Sequence, residues 1–456
     1  MSSCGPISFS SHKNNYNLLP HELIVDNFAG GGGTSTGLEQ AFNLPVDIVI
    51  NHDPKALAMH RINHPNTVHY CESVWDVDPI KVTNNQPVGL VWLSPDCKHF
   101  SRAKGGKPVE KKIRGLAWVA LRWAAKTRPR IIMLENVEEF KTWGDIGPNG
   151  RPCPKRIGRT FKSFVNALKR QGYDVEWREL RACDYGSPTI RKRFFLIARR
   201  DGLQIQWPEK THGKPSSPEV KRGLLKPWIS AAECMDWSIA CPSIFNRKRP
   251  LVDATLHRIY KGLTKFVIQN ETPYILNSTA PVLTECANAS SKRSMPITEP
   301  LRTICSQTKG GHHAVMVSHL SKMKKNSIGQ DLYEPIHAMT TVNQFAEVRA
   351  YLAKYHEIEN PGTTPWFDQF GVITIDGEKY IIVDIGFRMV QPNELYKAQG
   401  FPSTYIFTHG IDECGTKISL TKTEQTRMVG NSVCPQLARA LVEANFKHEL
   451  VYTTAA

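Results

Sequence analysis

Residues 23–37 constrain the fold more than any other part of the chain. The run Leu23-Ile24-Val25-Asp26-Asn27 reads as an apolar strand, Phe28-Ala29-Gly30-Gly31-Gly32-Gly33 as a turn, and the residues from Thr34 onward as the opening of a helix. Glycines in that position let the backbone approach a ligand closely, and the helix offers its first N–H groups to the ligand's polar atoms. Glycine runs also serve as linkers, but linkers seldom sit between a strand and a helix. No Gly-Lys-Ser/Thr follows, so the spacing is not that of a phosphate-binding P-loop, and a cofactor without phosphates stays open.

Around this segment, apolar runs at 23–27, 46–51, 89–94, 131–135 and 194–199 alternate with amphipathic stretches at 36–42, 55–63, 115–126 and 160–171. Strand alternating with helix predicts an α/β fold, a doubly wound, mainly parallel sheet whose ligands bind beyond the carboxyl ends of the strands. After Arg200 the texture changes to Pro, Ser, Trp and basic residues with short, irregular apolar runs, which predicts a second domain. Within it, Glu299-Pro300-Leu301-Arg302-Thr303-Ile304 is echoed by Glu334-Pro335-Ile336-His337-Ala338-Met339, two copies being too few for a solenoid. Beyond it, 423–446 reads as a helix, a Gly-Asn turn and another helix. The expected division is a flexible N-terminus at 1–22, a catalytic and cofactor-binding domain at 23–204, an inserted recognition domain at 205–418, and a segment at 419–456 that returns to the first domain.

The chain has 456 residues, and its 58 Lys and Arg against 42 Asp and Glu leave a formal charge of +16. A polyanionic partner fits that balance, and nucleic acid is the commonest one. No apolar run approaches the roughly 18–20 residues that cross a bilayer, and the first 20 residues lack a signal peptide's apolar core, so a cytoplasmic protein without a membrane partner is expected. The 11 cysteines are scattered with no C-x-x-C pair, which suggests neither a disulfide framework nor a zinc site. The setting of any one cysteine is therefore informative.

Each strand end carries a candidate. Asn51-His52-Asp53-Pro54 offers a polar side chain to a ribose, or a helix cap by Asp53. Ser94-Pro95-Asp96-Cys97-Lys98 puts a thiol at the mouth of the crevice, followed by Arg102, Lys104, Lys107, Lys111, Lys112 and Arg114 around Gly105-Gly106. Cations favour thiolate, whereas Asp96 opposes it and Lys98 offsets Asp96. Glu135-Asn136-Val137 places a carboxyl group beside the same crevice, and Arg191 and Arg193, two residues apart on an incoming strand, project the same way.

In order along the chain, Phe28-x-Gly30-x-Gly32, Pro95-x-Cys97 with Phe100-Ser101, Glu135-Asn136-Val137, Arg191-x-Arg193, Leu301-Arg302-Thr303, Gln399-Gly400-Phe401-Pro402 and Gly430-Asn431-Ser432-Val433 resemble the blocks of the DNA cytosine-5 methyltransferases, of bacterial or phage type. Each block alone is weak, but the ordered set is specific. The resemblance implies a Rossmann-like, S-adenosylmethionine-dependent catalytic domain, an irregular target-recognition domain, and a cytosine flipped out of double-stranded DNA. It implies Cys97 as nucleophile at C6, Glu135 as donor to N3, Arg193 at the base O2 and Arg191 bracing it. It assigns Phe28, Gly30, Gly32, Pro95 and Asn431 to the cofactor side.

Three departures from the family pattern carry expectations. Asp96 replaces the usual Pro before the nucleophile and should point away from the sulfur. Asn51 and Ser73 stand where the family has acidic residues, which predicts weaker cofactor holding. A monomer is expected, with a cognate restriction enzyme as a candidate partner. Two alternatives stay open: an RNA cytosine-5 methyltransferase acting on tRNA, against which the insert of roughly 200 residues argues, and a catalytically silent DNA-binding protein.

Overall fold

The computed structural model describes residues 18–19, 21–95, 115–145, 147, 153–245, 247–271, 275–276, 282–284, 294–296, 315–323, 329–358, 362, 367–375 and 377–453. Cys97 with its basic loop, the first copy of the Glu-Pro echo and Leu301-Arg302-Thr303 lie outside them. The chain forms two compact units, Met1–Pro227 with Gln399–Ala456, and Trp228–Ala398.

The first unit is built on β1 (Leu23–Asn27), β2 (Ile48–Ile50), β3 (Val68–Tyr70), β4 (Val88–Leu93), β5 (Ile131–Asn136), β6 (Asp174–Arg181) and β7 (Lys192–Arg199). They order as β3-β2-β1-β4-β5-β7-β6, with β7 antiparallel to both β5 and β6 and the remaining pairs parallel. The doubly wound, mainly parallel sheet expected from the sequence is present. The strand order reverses between the parallel neighbours β1 and β4, so the crevice for a ligand opens beyond their carboxyl ends.

Every residue of β1, β4 and β5 is buried, which explains their continuous apolar runs: a parallel sheet covered on both faces has no polar side to alternate with. Leu23 and Val25 face one layer, which includes α3 (Val119–Lys126) and α4 (Arg159–Arg170); Ile24 faces the other. That second layer holds α1 (Gly33–Phe42), whose Leu38, Ala41 and Phe42 share a core with Leu437, Ala438, Leu441, Val442 and Phe446 of the long C-terminal helix Pro435–Thr453. The last helix therefore completes the first unit. On the flank, α2 (Pro54–Asn63) starts where Asp53 Oδ1 accepts from the N–H groups of Lys55 and Ala56 at 3.0 and 3.3 Å, the capping alternative weighed for that residue.

Strands β3 and β6 carry no apolar run in the sequence. β3 is three residues long, and β6 is an edge strand in which only Val175 and Leu180 are buried, so its other positions are free to be charged.

The second unit contains a five-stranded sheet of β8 (Ile275–Leu276), β9 (Val315–Lys322), β10 (Phe345–Lys354), β11 (Ile373–Ile375) and β12 (Glu378–Met389), ordered β8-β9-β10-β12-β11 and antiparallel throughout. Its regularity exceeds what the sequence texture suggests, because Glu347, Arg349 and Arg388 are buried on its strands and interrupt the apolar pattern. Among the described residues no helix is long and apolar enough to cross a membrane.

Candidate functional site

The glycine loop is shaped by contacts as much as by conformation. Phe28 and Gly30 take positive φ values of 63° and 56°, and Gly32 takes 94° as the residue preceding α1. A Cβ on Gly32 would lie 2.4 Å from the Tyr405 hydroxyl oxygen and 2.9 Å from His64 Nε2, so only glycine fits there. The Tyr405 hydroxyl donates to the Gly31 carbonyl, and its ring packs on Phe401 at 4.6 Å between centroids. The segment Gly430-Asn431-Ser432-Val433 closes on the same loop: a Cβ on Gly33 would fall 1.9 Å from Ser432 Oγ and 2.4 Å from the Val433 carbonyl oxygen. Gly430 and exposed Asn431 end the helix Lys422–Asn431, so the chain turns at Ser432 rather than at the Gly-Asn pair. Blocks some 400 positions apart in the sequence thus meet at the end of β1.

Beneath the loop lies a polar chain that no local sequence pattern signals. Ser35 Oγ donates to Asp26 Oδ2 at 2.8 Å, His60 Nε2 lies 2.9 Å from Ser35 Oγ, and His60 Nδ1 lies 2.9 Å from His69 Nε2. Burial pushes the Asp26 carboxyl up to about 8, against the Ser35 hydrogen bond that lowers it. Burial likewise pulls His60 well below its ordinary range and His69 down to about 4, so both rings are neutral. Asp26 Oδ1 and both side-chain polar atoms of Asn27 are buried with no hydrogen-bond partner, at the point where the strand enters the loop. Leaving such atoms unpaired costs about 1–3 kcal/mol each, which favours a ligand that satisfies them.

At the next strand ends, Asn51 is buried and its Oδ1 accepts from the Asp53 N–H at 2.9 Å, leaving its NH₂ group to meet a ligand. Ser73 Oγ accepts from the Trp75 N–H at 3.3 Å in the turn after β3. Buried Pro95 follows β4, and its carbonyl accepts from Asn136 Nδ2 at 3.1 Å. That bond ties the chain two residues before Cys97 to the end of β5.

Glu135 and the two arginines come together. Glu135 is 6% exposed at the carboxyl end of β5, and Arg193 Nε on β7 lies 3.2 Å from its Oε1. Burial raises the Glu135 carboxyl above its usual range, with Arg193 and then Arg191 opposing that rise. Arg193 Nη1 also donates to the Lys192 carbonyl at 2.8 Å. Arg191, 3% exposed, points elsewhere: its Nη1 donates to the Gly430 carbonyl at 3.1 Å, fixing the segment that closes on the glycine loop. Gln399 Nε2 donates to the Ser432 carbonyl at 2.7 Å, and Gln436 Nε2 to the Gly400 carbonyl at 2.6 Å. The crevice therefore offers one buried, readily protonated carboxyl, one guanidinium beside it, and a glycine loop with unsatisfied polar atoms.

Sequence reasoning singled out Glu135, Arg191 and Arg193, together with Phe28, Gly30, Gly32, Asn51, Ser73, Pro95 and Asn431. It missed Ser35, His60, His69 and Tyr405, whose partners are fixed only by how α1, α2, β3 and the segment after Phe401 pack.

The family model for C-5 cytosine-specific DNA methylase matches residues 23–447. The type II methyltransferase M.XorII of Xanthomonas oryzae pv. oryzae is 32% identical over 203 residues, covering 42% of this chain and 44% of the relative. M.Sau3AI of Staphylococcus aureus, also a type II methyltransferase, is 28% identical over 190 residues, covering 40% and 44%. The chain spans less than half the length of these relatives. The solved structure of the S. pombe Dnmt2 methyltransferase is 13% identical, with a TM-score of 0.49 over 94% of this chain and 99% of that one. Because the family match runs from the first strand of the sheet into its closing helix, the chain belongs to the C-5 cytosine-specific DNA methylase family.

Proposed function

We propose that the chain is a DNA cytosine-5 methyltransferase that transfers a methyl group from S-adenosylmethionine to C5 of a cytosine flipped out of the duplex. The observation that carries this reading is the buried Glu135–Arg193 pair, with its raised carboxyl, at the strand end whose next residue, Asn136, holds the Pro95 carbonyl.

C5 of cytosine is a weak nucleophile, so the ring must be activated first. The Cys97 thiolate adds at C6, the C5–C6 π pair shifts to C4–C5 and the C4–N3 π pair settles on N3, which leaves an enamine that is nucleophilic at C5. Glu135, whose carboxyl burial raises above its usual range, donates to N3 in its protonated form and accepts from the exocyclic amine. Arg193 sits beside Glu135, where it can donate to O2. After methyl transfer a base removes the C5 proton, the double bond re-forms and the thiolate leaves.

The residues present fit S-adenosylmethionine. Its ammonium, carboxylate and hydroxyl groups match the unpaired atoms of Asp26 and Asn27, the NH₂ group of Asn51 and the Asn431 amide, and Phe28, Gly30, Gly32 and Pro95 supply the close walls. When bound, it supplies an electrophilic methyl group. Ser73 completes this set at the end of β3. The type II names of the relatives support a modification role beside a cognate restriction enzyme, and we propose that the chain acts as a monomer in the cytoplasm of a bacterial or phage-infected cell.

The test is to incubate the full chain with labelled S-adenosylmethionine and either plasmid DNA or tRNA, then assay for 5-methylcytosine. Label in DNA that is abolished by Cys97→Ser is expected. Label confined to tRNA overturns the DNA reading, and no label in either polymer leaves a DNA-binding protein that keeps the fold.

A further inference from the structure

One surface of the first unit is predominantly cationic. On α4, Phe161, Phe164, Val165 and Leu168 face the core, and Arg159, Lys162, Lys169 and Arg170 are exposed, with no acidic residue anywhere on the helix. Lys155 and Arg156, just before it, are exposed as well. Asp145 is the carboxylate that answers this group, and it is shared between Arg156 at 3.0 Å and Arg159 at 3.5 Å.

Helix stability does not account for this arrangement. Lys169 and Arg170 in the last turn complement the helix dipole, but Arg159 and Lys162 stand in the first turn, where a cation costs about 0.3–1 kcal/mol and an acidic residue is favoured. Nor does packing account for it, because these side chains lie opposite the buried face. An anion at the start of the helix would turn both costs into gains.

The position is also specific. The Gly158 and Phe161 N–H groups donate to the carbonyls of Thr142 and Trp143 at 3.3 and 2.9 Å, binding the start of α4 to the segment that leaves β5 just past Glu135. The cationic face therefore begins at the carboxyl edge of the sheet, where the catalytic crevice opens. From there it runs along a helix of 12 residues, about 18 Å at 1.5 Å per residue. Duplex DNA presents one charge per roughly 1.7 Å of axis, so this length spans several phosphates.

We propose that the α4 face, with Lys155 and Arg156, is a second contact surface for duplex DNA, one that tracks backbone phosphates beside the crevice and reads no sequence. This rests on the DNA reading above. Each cation that engages a phosphate adds about 0.9 to the slope of log affinity against log salt.

The test uses the full chain and a random-sequence duplex of about 40 base pairs, with affinity measured across a salt series. The variant combining Arg156→Gln, Arg159→Gln and Lys162→Gln is expected to flatten the slope by about 2–3 and to weaken binding more than tenfold near physiological salt. The all-lysine variant Arg156→Lys with Arg159→Lys should keep the wild-type slope. A control of equal charge change, Lys81→Gln, Lys126→Gln and Arg128→Gln, at exposed cations outside the recognition region and away from the strand ends' carboxyl edge, should leave the slope nearly unaltered. An unchanged slope in the first variant overturns the proposal, as does an equal loss in the control, or a loss seen with tRNA and not with duplex. If the wild type shows no salt-dependent affinity for duplex, the DNA reading itself fails, which is a separate result.

Discussion

Each unit buries a cluster of arginine and glutamate, and the two clusters are built to opposite ends. In the second unit, Glu347 and Glu394 meet Arg349 and Arg388, all four 6% exposed or less. Arg388 holds Glu394 through both oxygens, at 2.8 and 2.7 Å, and Glu347 is ion-paired to both guanidiniums. Two carboxyls face two guanidiniums, and although burial raises the Glu347 carboxyl too, both Arg349 and Arg388 oppose that rise at direct ion-pair contact. In the first unit, Glu135 meets Arg193 at 3.2 Å, with Arg191 turned away to Gly430, at a strand end that faces a crevice. Arg191 acts on Glu135 only through its charge, so one carboxyl stands among two cations with a single direct ion pair, and burial raises that carboxyl above its usual range. The balanced cluster is paired within itself, whereas the unbalanced one fits the proposed role of Glu135 toward a substrate base.

That contrast breaks most sharply at the two carboxylates. Glu135→Gln removes a proton donor without emptying a site, and turnover is expected to drop by about 10²–10⁴ while the urea midpoint hardly moves. Because Glu135 must be protonated and its pKa is raised, wild-type turnover falls as pH rises through that pKa, and the variant should lack this alkaline limb. Glu347→Gln leaves two buried guanidiniums short of a counter-charge, and a loss of about 3–5 kcal/mol in urea unfolding is expected. The comparison fails if Glu135→Gln destabilises the chain as much as Glu347→Gln does.

Legibility in the sequence divides along the same line. Strands β1, β4 and β5 were readable because a doubly covered sheet demands unbroken apolar runs, and Glu135 was singled out because it ends such a run in the Glu135-Asn136-Val137 block of the family resemblance. The Arg349 and Arg388 cluster was not, since a buried charge looks like a surface charge until its partner on another strand is known. The His60–Ser35–Asp26 chain was hidden for the same reason: its members lie 9 and 25 residues apart and meet only through helix packing.

A smaller effect sharpens the picture of the crevice. Tyr405→Phe removes the hydrogen bond to the Gly31 carbonyl while keeping the ring that packs on Phe401. A neutral hydrogen bond contributes about 0.5–1.5 kcal/mol, so the cofactor KM should rise roughly two- to tenfold. The kcat and the KM for DNA should stay put. A change in kcat instead would place Tyr405 in the chemical step rather than in loop positioning.

A last effect, confined to alkaline pH, concerns Asp26, another of the first unit's buried carboxyls, which lacks any guanidinium within its hydrogen-bonded chain. Its folded pKa of about 8 lies above the ordinary value of 3.8, so the folded state binds the proton more tightly than the unfolded chain does. The stability linked to that proton is fully present below about pH 4 and is lost progressively as pH rises through about 8. Asp26→Asn keeps the shape without the charge. The ligand-free variant should melt with the wild type near pH 4 and increasingly above it toward pH 9, a gap read directly from melting curves at each pH. The ammonium of S-adenosylmethionine would favour the ionised carboxyl, so adding the cofactor to both proteins should narrow the gap on the alkaline side. A gap that is constant across pH would mean that Asp26 is already compensated, and that the first unit's buried charges are as closed as those of the second.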